Sequence, residues 1–255
     1  MSRTNTNPRR IPRTEADVLV ACEESQAVTI ELRKLGIRAW SCDIMPCSGG
    51  HPEWHIQGDA LKMIYPDSWL CSLDPDIEDE MIGSFVTQDG KRHALPPRWS
   101  MIIAFPPCTY LSNAGACRLY PQKGKLDYER YLKGLAAKEF FLKFYNAPCE
   151  HIAVENPVSS RVFKMPPHTQ EIQPYQFGHP FTKKTRLWIK GLPPLAPTLV
   201  VEPTAPYVQS GTGRKDRTKY GAAKRGEDAK NRAKTFPGVA RAMAQQWGDA
   251  ICLKN

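Results

Sequence analysis

The chain has 255 residues, 41% of them hydrophobic, and a formal net charge of +9 at pH 7. This length suits one α/β domain with a small appendage, and the apolar fraction is enough for a sizeable core. The positive charge favours an anionic partner, for which nucleic acid is the first candidate. No stretch of about 18 apolar residues occurs, so we expect no membrane partner.

Eight cysteines are spread through the chain without any pair at CxxC spacing. This pattern predicts neither a zinc ribbon nor a disulfide framework. Because no apolar leader opens the chain, we expect free thiols in the cytoplasm of a bacterium or a phage-infected cell. His51 and His55 resemble a metal-ligand pair, but Pro52 opposes the helix that such a pair needs. We therefore expect no metal.

The chain opens with a basic arm, residues 1–16, and continues with a strand, a helix and a second strand. Residues 17–21 form a short apolar run, and a helical pattern follows from Val28 to Leu35. The second strand, residues 37–43, ends in Asp43. In doubly wound folds, an acid at this place holds the ribose hydroxyls of a nucleoside ligand.

The middle of the chain contains an insertion and then two buried strands. Residues 66–97 are rich in acids and include a hairpin-turn signal at residues 88–91. The apolar run 101–105 ends in Pro106-Pro107-Cys108, and the run 152–154 ends in Glu155-Asn156-Pro157. An amphipathic helix over residues 127–145 lies between them. This alternation predicts a mostly parallel sheet with helices on both faces.

A cysteine and a glutamate thus follow two buried strands. The carboxyl ends of strands in an open α/β sheet face the ligand crevice, so we expect Cys108 and Glu155 to converge. A thiolate that adds to carbon 6 of cytosine makes carbon 5 nucleophilic, and a carboxyl group supplies the proton that the ring nitrogen needs. A nearby cation favours the thiolate, and Arg186 is our candidate. The pair therefore suits chemistry on a pyrimidine.

These motifs, in this order, resemble the DNA (cytosine-5) methyltransferase family, in a compact form like those of phages and prophages. Pro107-Cys108 is similar to the family's catalytic Pro-Cys turn, and Glu155-Asn156 to its base-binding Glu-Asn pair. Asp43 and Asp59 resemble its two cofactor acids. Lys184-Thr185-Arg186 is similar to its Arg-x-Arg strand. Residues 236–247 resemble the closing family helix. The resemblance covers roughly residues 17–189 and 235–251 of the chain.

The resemblance implies a Rossmann-like α/β methyltransferase that uses S-adenosyl-L-methionine and flips its target base out of the duplex. The catalytic domain would comprise residues 17–192 and 235–255, and residues 193–234 would form a small basic target-recognition segment. Catalytic roles fall to Cys108, Glu155, Lys184 and Arg186, and substrate binding to Asn156, Lys184 and Arg186. The expected cofactor-binding residues are Cys22, Glu23, Ser25, Gln26, Asp43, Ile44, Asp59, Ala60 and Pro106.

The chain departs from the family pattern at several positions. Residues 21–26 replace a glycine-rich loop, so the backbone approaches a cofactor less freely there. Thr109 follows the cysteine where a glutamine is usual. Lys184 stands in place of an arginine and cannot fork to two acceptors. The recognition region is also shorter than in relatives that read a long DNA site.

We expect a monomer that acts on double-stranded DNA with a short recognition sequence. Two alternatives remain open. The same chemistry on RNA or a free cytosine nucleotide would suit the short recognition region. An inactive protein that kept the fold and binds DNA would suit the altered first loop. An unusual cofactor, such as a carboxylated derivative of S-adenosyl-L-methionine, is a further alternative, for which the sequence carries no specific signal.

Overall fold

The computed structural model describes residues 11–65, 83–206 and 233–252. Most of the basic arm, the acid-rich residues 66–82 and most of the basic recognition segment lie outside these ranges. Eleven strands are described: β1 (Asp17–Ala21), β2 (Arg38–Asp43), β3 (His55–Gln57), β4 (Ser84–Val86), β5 (Arg92–Ala94), β6 (Met101–Ala104), β7 (Ile152–Pro157), β8 (Gln170–Ile172), β9 (Phe181–Thr182), β10 (Thr185–Lys190) and β11 (Ala205–Pro206).

Five α-helices accompany these strands in the described ranges. They are α1 (Ala27–Lys34), α2 (Ala60–Ile64), α3 (Ala116–Leu119), α4 (Tyr128–Tyr145) and α5 (Pro237–Ile251). Asp127 caps α4 by accepting a hydrogen bond from the Arg130 backbone N–H at 2.9 Å. Pro237 occupies the first turn of α5, where its missing N–H costs nothing. Short 3-10 helices span Arg13–Glu15, Pro52–Trp54, Asn113–Gly115, Arg161–Phe163 and Pro174–Gln176.

A seven-stranded sheet forms the centre, in the order β3-β2-β1-β6-β7-β10-β8. All neighbouring pairs from β3 to β7 are parallel, whereas β10 is antiparallel to both β7 and β8. The prediction of a mostly parallel α/β sheet is confirmed. The antiparallel insertion of β10 was not predicted.

Two hydrophobic clusters cover the two faces of the sheet. One joins α1 and α5 to side chains such as Ile103, Ala153 and Leu187. The other packs α4 against alternate residues of the same strands, including Ile102 and Val154. This alternation follows from the two-residue repeat of a strand and puts helices on both faces, as predicted.

The predicted hairpin turn is confirmed, since β4 and β5 pair in an antiparallel hairpin around residues 87–91. Thr87 donates its N–H to the Lys91 carbonyl at 2.9 Å, and Gly90 has a φ of 87°. Phe85 of this hairpin meets Trp40 of β2 edge to face, with ring centres 5.1 Å apart. The hairpin therefore lies over the β2 side of the sheet.

The described beginning of the predicted recognition segment, residues 193–206, packs against the sheet domain. Trp247 of α5 donates its indole N–H to the Pro193 carbonyl at 2.9 Å. Gln246 exchanges two 2.8 Å hydrogen bonds with the backbone of Ala196. Leu195 is buried in the same cluster as α5. These first residues of the segment are thus held by the closing helix.

Candidate active site

The parallel strands of the sheet end at one edge, which brings several of the sequence-predicted site residues together. Asp43 is the last residue of β2, and the turn with Cys108 follows β6 directly. Glu155 and Asn156 lie at the carboxyl end of β7. This edge is the one where open α/β sheets bind ligands.

The turn that carries Cys108 is tightly closed and tied to β7. The Cys108 carbonyl accepts hydrogen bonds from the N–H groups of Leu111 at 3.1 Å and Ser112 at 2.9 Å. Asn113 donates its N–H to the Val158 carbonyl at 2.7 Å. Because Val158 follows directly after β7, the turn with Cys108 and the strand that carries Glu155 are fixed relative to each other.

Glu155 lies in a pocket on the face of the sheet that α5 covers. Phe105, Lys183, Thr185 and Phe236 are among the residues that line it. Burial raises the pKa of the Glu155 carboxyl, and the positive charge of Lys183 opposes this rise. A carboxyl with a raised pKa keeps its proton closer to neutrality and suits the role of a proton donor.

The register of β7 and β10 separates Glu155 from the predicted cation. Arg186 lies directly opposite Asn156, and Glu155 lies opposite Leu187. Directly opposed residues share a face, whereas consecutive residues point to opposite faces. Arg186 is therefore on the Asn156 side of the sheet, not on the Glu155 side.

The two predicted cations of the Arg-x-Arg-like strand are both engaged by one carboxylate. The Lys184 ammonium lies 3.1 Å from Glu171, and the Arg186 guanidinium lies 3.5 Å from it. Glu171 is on the neighbouring strand, β8, opposite Arg186. Two other lysines line the Glu155 pocket: Lys183, which precedes these two residues, and Lys234.

Asn156 is fully buried, with 0% of its surface exposed. Neither its amide nitrogen nor its amide oxygen has a hydrogen-bond partner among the described residues. Folded proteins satisfy nearly all such groups, so an unsatisfied buried amide calls for an explanation such as a ligand or an ordered water. The position next to Glu155, at the ligand edge, fits that explanation.

Two residues of the predicted cofactor loop, Glu23 and Gln26, use their side chains in hydrogen bonds within the protein. The buried Glu23 carboxylate accepts hydrogen bonds from the Val28 N–H at 2.7 Å and the Thr29 hydroxyl at 2.8 Å, and so caps α1. Burial nevertheless raises its pKa to about 7. Gln26, also buried, donates its amide N–H to the His51 carbonyl at 2.8 Å and the Ser41 hydroxyl at 3.2 Å.

The other two members of that loop, Cys22 and Ser25, are half-buried. Cys22 has a left-handed φ of 58°. Burial, together with the negative charge of Asp43, raises the pKa of its thiol. Cys22 is therefore held as a neutral thiol, which suits a packing contact with a cofactor better than an ionic one.

The ends of β2 and β3 offer an acid next to apolar surface. The half-buried Asp43 carboxylate accepts a hydrogen bond from the Met45 N–H at 2.9 Å, and burial raises its pKa. The next side chain, Ile44, is 74% exposed. Asp59 caps α2 through the Leu61 N–H at 2.9 Å, and Ala60 is buried. An acid beside an exposed apolar side chain fits the ribose and base of a nucleoside.

Sequence reasoning missed two residues at this edge. Lys183 was given no role because the Arg-x-Arg resemblance points to Lys184 and Arg186. Arg130 lies on α4, and its guanidinium donates to the Thr109 carbonyl, next to Cys108, at 3.0 Å. No local sequence signal connects residues 21 positions apart.

The chain matches no protein-family model and no curated protein sequence. In residues 11–65, 83–206 and 233–252, no group of His, Cys, Asp and Glu side chains could hold a metal ion. In the same ranges, no helix has both the length and the apolar composition needed to cross a bilayer.

Proposed function

We propose that the chain transfers a methyl group from S-adenosyl-L-methionine to carbon 5 of cytosine in DNA, with Cys108 as the covalent nucleophile. The observation that carries the proposal is the tie between the Cys108 turn and the end of β7. The Asn113 N–H to Val158 carbonyl bond holds a thiol and a carboxyl at one sheet edge. This pair is the one that activation of a pyrimidine needs.

In the proposed reaction, the Cys108 sulfur forms a bond to carbon 6 of the cytosine. The ring double-bond electrons move toward carbon 5, and the ring nitrogen receives a proton from Glu155. The raised pKa of Glu155 supports its role as the donor. After methyl transfer to carbon 5, the proton on that carbon leaves to a base and the carbon–sulfur bond breaks to release the Cys108 thiolate. The ring nitrogen then returns its proton to Glu155.

S-adenosyl-L-methionine, when bound, supplies an electrophilic methyl group. The residues at the ends of β1, β2 and β3 fit this cofactor in part. Asp43 would bind the ribose hydroxyls, and the exposed Ile44 would pack against the adenine. Glu23 and Gln26 are committed to α1 and to the His51 backbone, so we propose structural roles for them. Cys22, Ser25, Asp59, Ala60 and Pro106 remain candidates for cofactor contacts.

Asn156, Lys184 and Arg186 are proposed to bind the flipped base or its phosphate. The unsatisfied amide of Asn156 presents an NH2 donor group and a carbonyl acceptor, which matches the hydrogen-bonding edge of a pyrimidine. Arg186 lies on the same face, directly across the strand pair. The net charge of +9 supports a polyanionic substrate.

Bisulfite sequencing of DNA from cells that express the chain tests this function. The proposal predicts protected cytosines at one short recognition sequence, and none in cells that express Cys108→Ala. Protected cytosines in the Cys108→Ala culture would rule out Cys108 as the nucleophile. No protection in either culture would reject cellular DNA as the substrate.

A smaller or different cytosine substrate is the second candidate. The predicted recognition segment is short, and its first residues are held against α5 through Pro193 and Ala196. Comparing methyl transfer to duplex DNA, tRNA and dCMP separates these substrates. A purely DNA-binding role, favoured by the occupied side chains of Glu23 and Gln26, predicts DNA binding without any heat of S-adenosyl-L-methionine binding in calorimetry.

A further inference from the structure

An arginine on α4 holds the turn that carries Cys108. The Arg130 guanidinium donates from Nη2 to the Thr109 carbonyl at 3.0 Å. The same guanidinium lies over the ring of Tyr110, 5.0 Å from its centre. Two consecutive residues that follow Cys108 are thus contacted by one side chain from a different element.

The surroundings of Arg130 fix the place of its side chain. Its backbone N–H is bound by the cap residue Asp127 at 2.9 Å, so the arginine starts from the ordered first turn of α4. Gly115 packs against the contact on the other side. A Cβ at position 115 would lie 3.0 Å from the Arg130 guanidinium and 3.3 Å from the Thr109 carbonyl. Any side chain at position 115 would therefore crowd the hydrogen bond between Arg130 and Thr109.

Other charged side chains of α4 and β10 have partners of their own. Glu129 is paired with Lys133 at 2.6 Å, on the outer side of α4. The Asp127 carboxylate accepts from the helix N-terminus. Arg186, which the sequence suggested as the cation for the thiol, is bound to Glu171 on β8. Arg130 thus contacts the residue next to Cys108, whereas Arg186 is paired with a carboxylate on another strand.

We propose that Arg130 is a positioning residue for Cys108: it fixes the nucleophile turn, and its positive charge favours the thiolate. The inference rests on the proposed role of Cys108. A guanidinium close to a thiol stabilises the ionised sulfur, and the thiolate is the form that attacks carbon 6. The hydrogen bond to Thr109 also limits the orientations of the turn from which the sulfur points outward.

Alkylation of the full-length chain with iodoacetamide tests the inference without any substrate. The thiolate sulfur forms a bond to the reagent's carbon as iodide leaves, and the thiol proton goes to the buffer. Peptide mass spectrometry follows Cys108, with Cys47 as an internal reference in the same digest. We expect Arg130→Gln to slow alkylation of Cys108 at pH 7 by roughly threefold to tenfold, with Cys47 unchanged.

Two matched variants identify the cation. Lys133→Gln removes a positive charge one turn along the same helix, and Arg186→Gln removes the alternative arginine. Both should leave the alkylation rate of Cys108 at the wild-type value. Wild-type alkylation of Cys108 in Arg130→Gln, or slowing in Arg186→Gln instead, would overturn the proposal.

Arg130→Lys separates charge from position. Lysine keeps the positive charge but loses the fork and the stacking on Tyr110. In Arg130→Lys we expect near wild-type alkylation of Cys108, a reduced kcat and an unchanged KM for DNA. A merely structural role would instead lower both the alkylation rate and kcat. If Arg130→Gln does not fold, high salt applied to the wild type replaces it. Screening at 1 M salt should slow Cys108 relative to Cys47 by about twofold, and equal rates would overturn the inference.

A failure of this inference and a failure of the proposed function give different results. A slowed thiol in Arg130→Gln, together with no methyl transfer by the wild type, would reject the methyltransferase and keep the Arg130 contact. Methyl transfer by the wild type, together with unchanged alkylation of Cys108 in Arg130→Gln, would keep the methyltransferase and reject the role of Arg130.

Discussion

Asn156 and Arg186 face each other across the antiparallel pair of β7 and β10. Asn156 is fully buried, and neither of its amide atoms is satisfied by the described residues. The guanidinium of Arg186 is directed to Glu171 on the next strand. An unsatisfied buried amide lowers the stability of the fold, and its position beside Glu155 is consistent with the proposed binding of a pyrimidine.

We expect Asn156→Leu to leave the free energy of unfolding unchanged or to raise it by about 1 kcal/mol, because the unsatisfied amide is removed from the interior. The same variant should lose methyl transfer. Denaturant unfolding and a methylation assay measure both effects. Asn146→Leu, at the exposed end of α4, is the matched control. A loss of more than about 2 kcal/mol in Asn156→Leu would show instead that the amide stabilises the fold.

Lys183 and Lys184 should differ in their effect on the pH–rate profile. The charge of Lys183 lowers the pKa of Glu155, so Lys183→Met should raise that pKa and keep Glu155 protonated to higher pH. The descending alkaline limb of methyl transfer should therefore move to higher pH. Lys184 pairs with Glu171, and Lys184→Met should leave that limb in place. A shift of this limb in Lys184→Met alone would show that Lys184, and not Lys183, acts on the pKa of Glu155.

Glu23 should make the fold less stable as the pH rises. Burial raises its pKa from 4.5 to about 7, so folding favours the protonated carboxyl. Its contribution to stability is complete below pH 4.5 and is lost as the pH rises through 7. Glu23→Gln keeps an acceptor for the Val28 N–H and should remove a decline in unfolding free energy on the order of 3 kcal/mol. Unfolding free energies from pH 4 to 8 measure it, with the exposed Glu150→Gln as control; parallel curves would contradict the assignment.

Gly134 should be intolerant of any side chain. It lies in α4, and a Cβ there would overlap the ring of Phe163. We expect Gly134→Ala to cost about 1–3 kcal/mol of unfolding free energy through overpacking, although alanine favours helices. Gly58→Ala, where a Cβ would meet nothing within 4 Å, should be neutral. The midpoints of thermal unfolding of the two variants are compared. Equal midpoints would mean that α4 and Phe163 separate at no cost in stability.

Much of the fold follows from local pattern, and much of the site does not. The apolar runs at residues 17–21 and 101–105 and the hairpin turn around Gly90 are short-range signals, and the structure confirms them. The antiparallel placement of β10 depends on long-range pairing, so the sequence left the face of Arg186 undetermined. The contact of Arg130 with Thr109 depends on how a whole loop folds back.

The first loop illustrates a different limit. The resemblance assigned Glu23 to the cofactor because of its position after β1. The carboxylate instead reaches five residues ahead to the Val28 N–H at 2.7 Å and caps α1. A helix N-terminus competes for any nearby acid, and sequence alone does not decide between the helix and a ligand.

Covalent trapping on DNA that contains 5-fluorocytosine tests the central claim most directly. Fluorine at carbon 5 cannot leave as a proton does, so the bond between the enzyme sulfur and carbon 6 persists. With S-adenosyl-L-methionine present, we predict an adduct in the wild type and in Cys149→Ala, attached at Cys108 by peptide mass spectrometry, and none in Cys108→Ala. An adduct in Cys108→Ala, or one attached to another cysteine, would contradict the account.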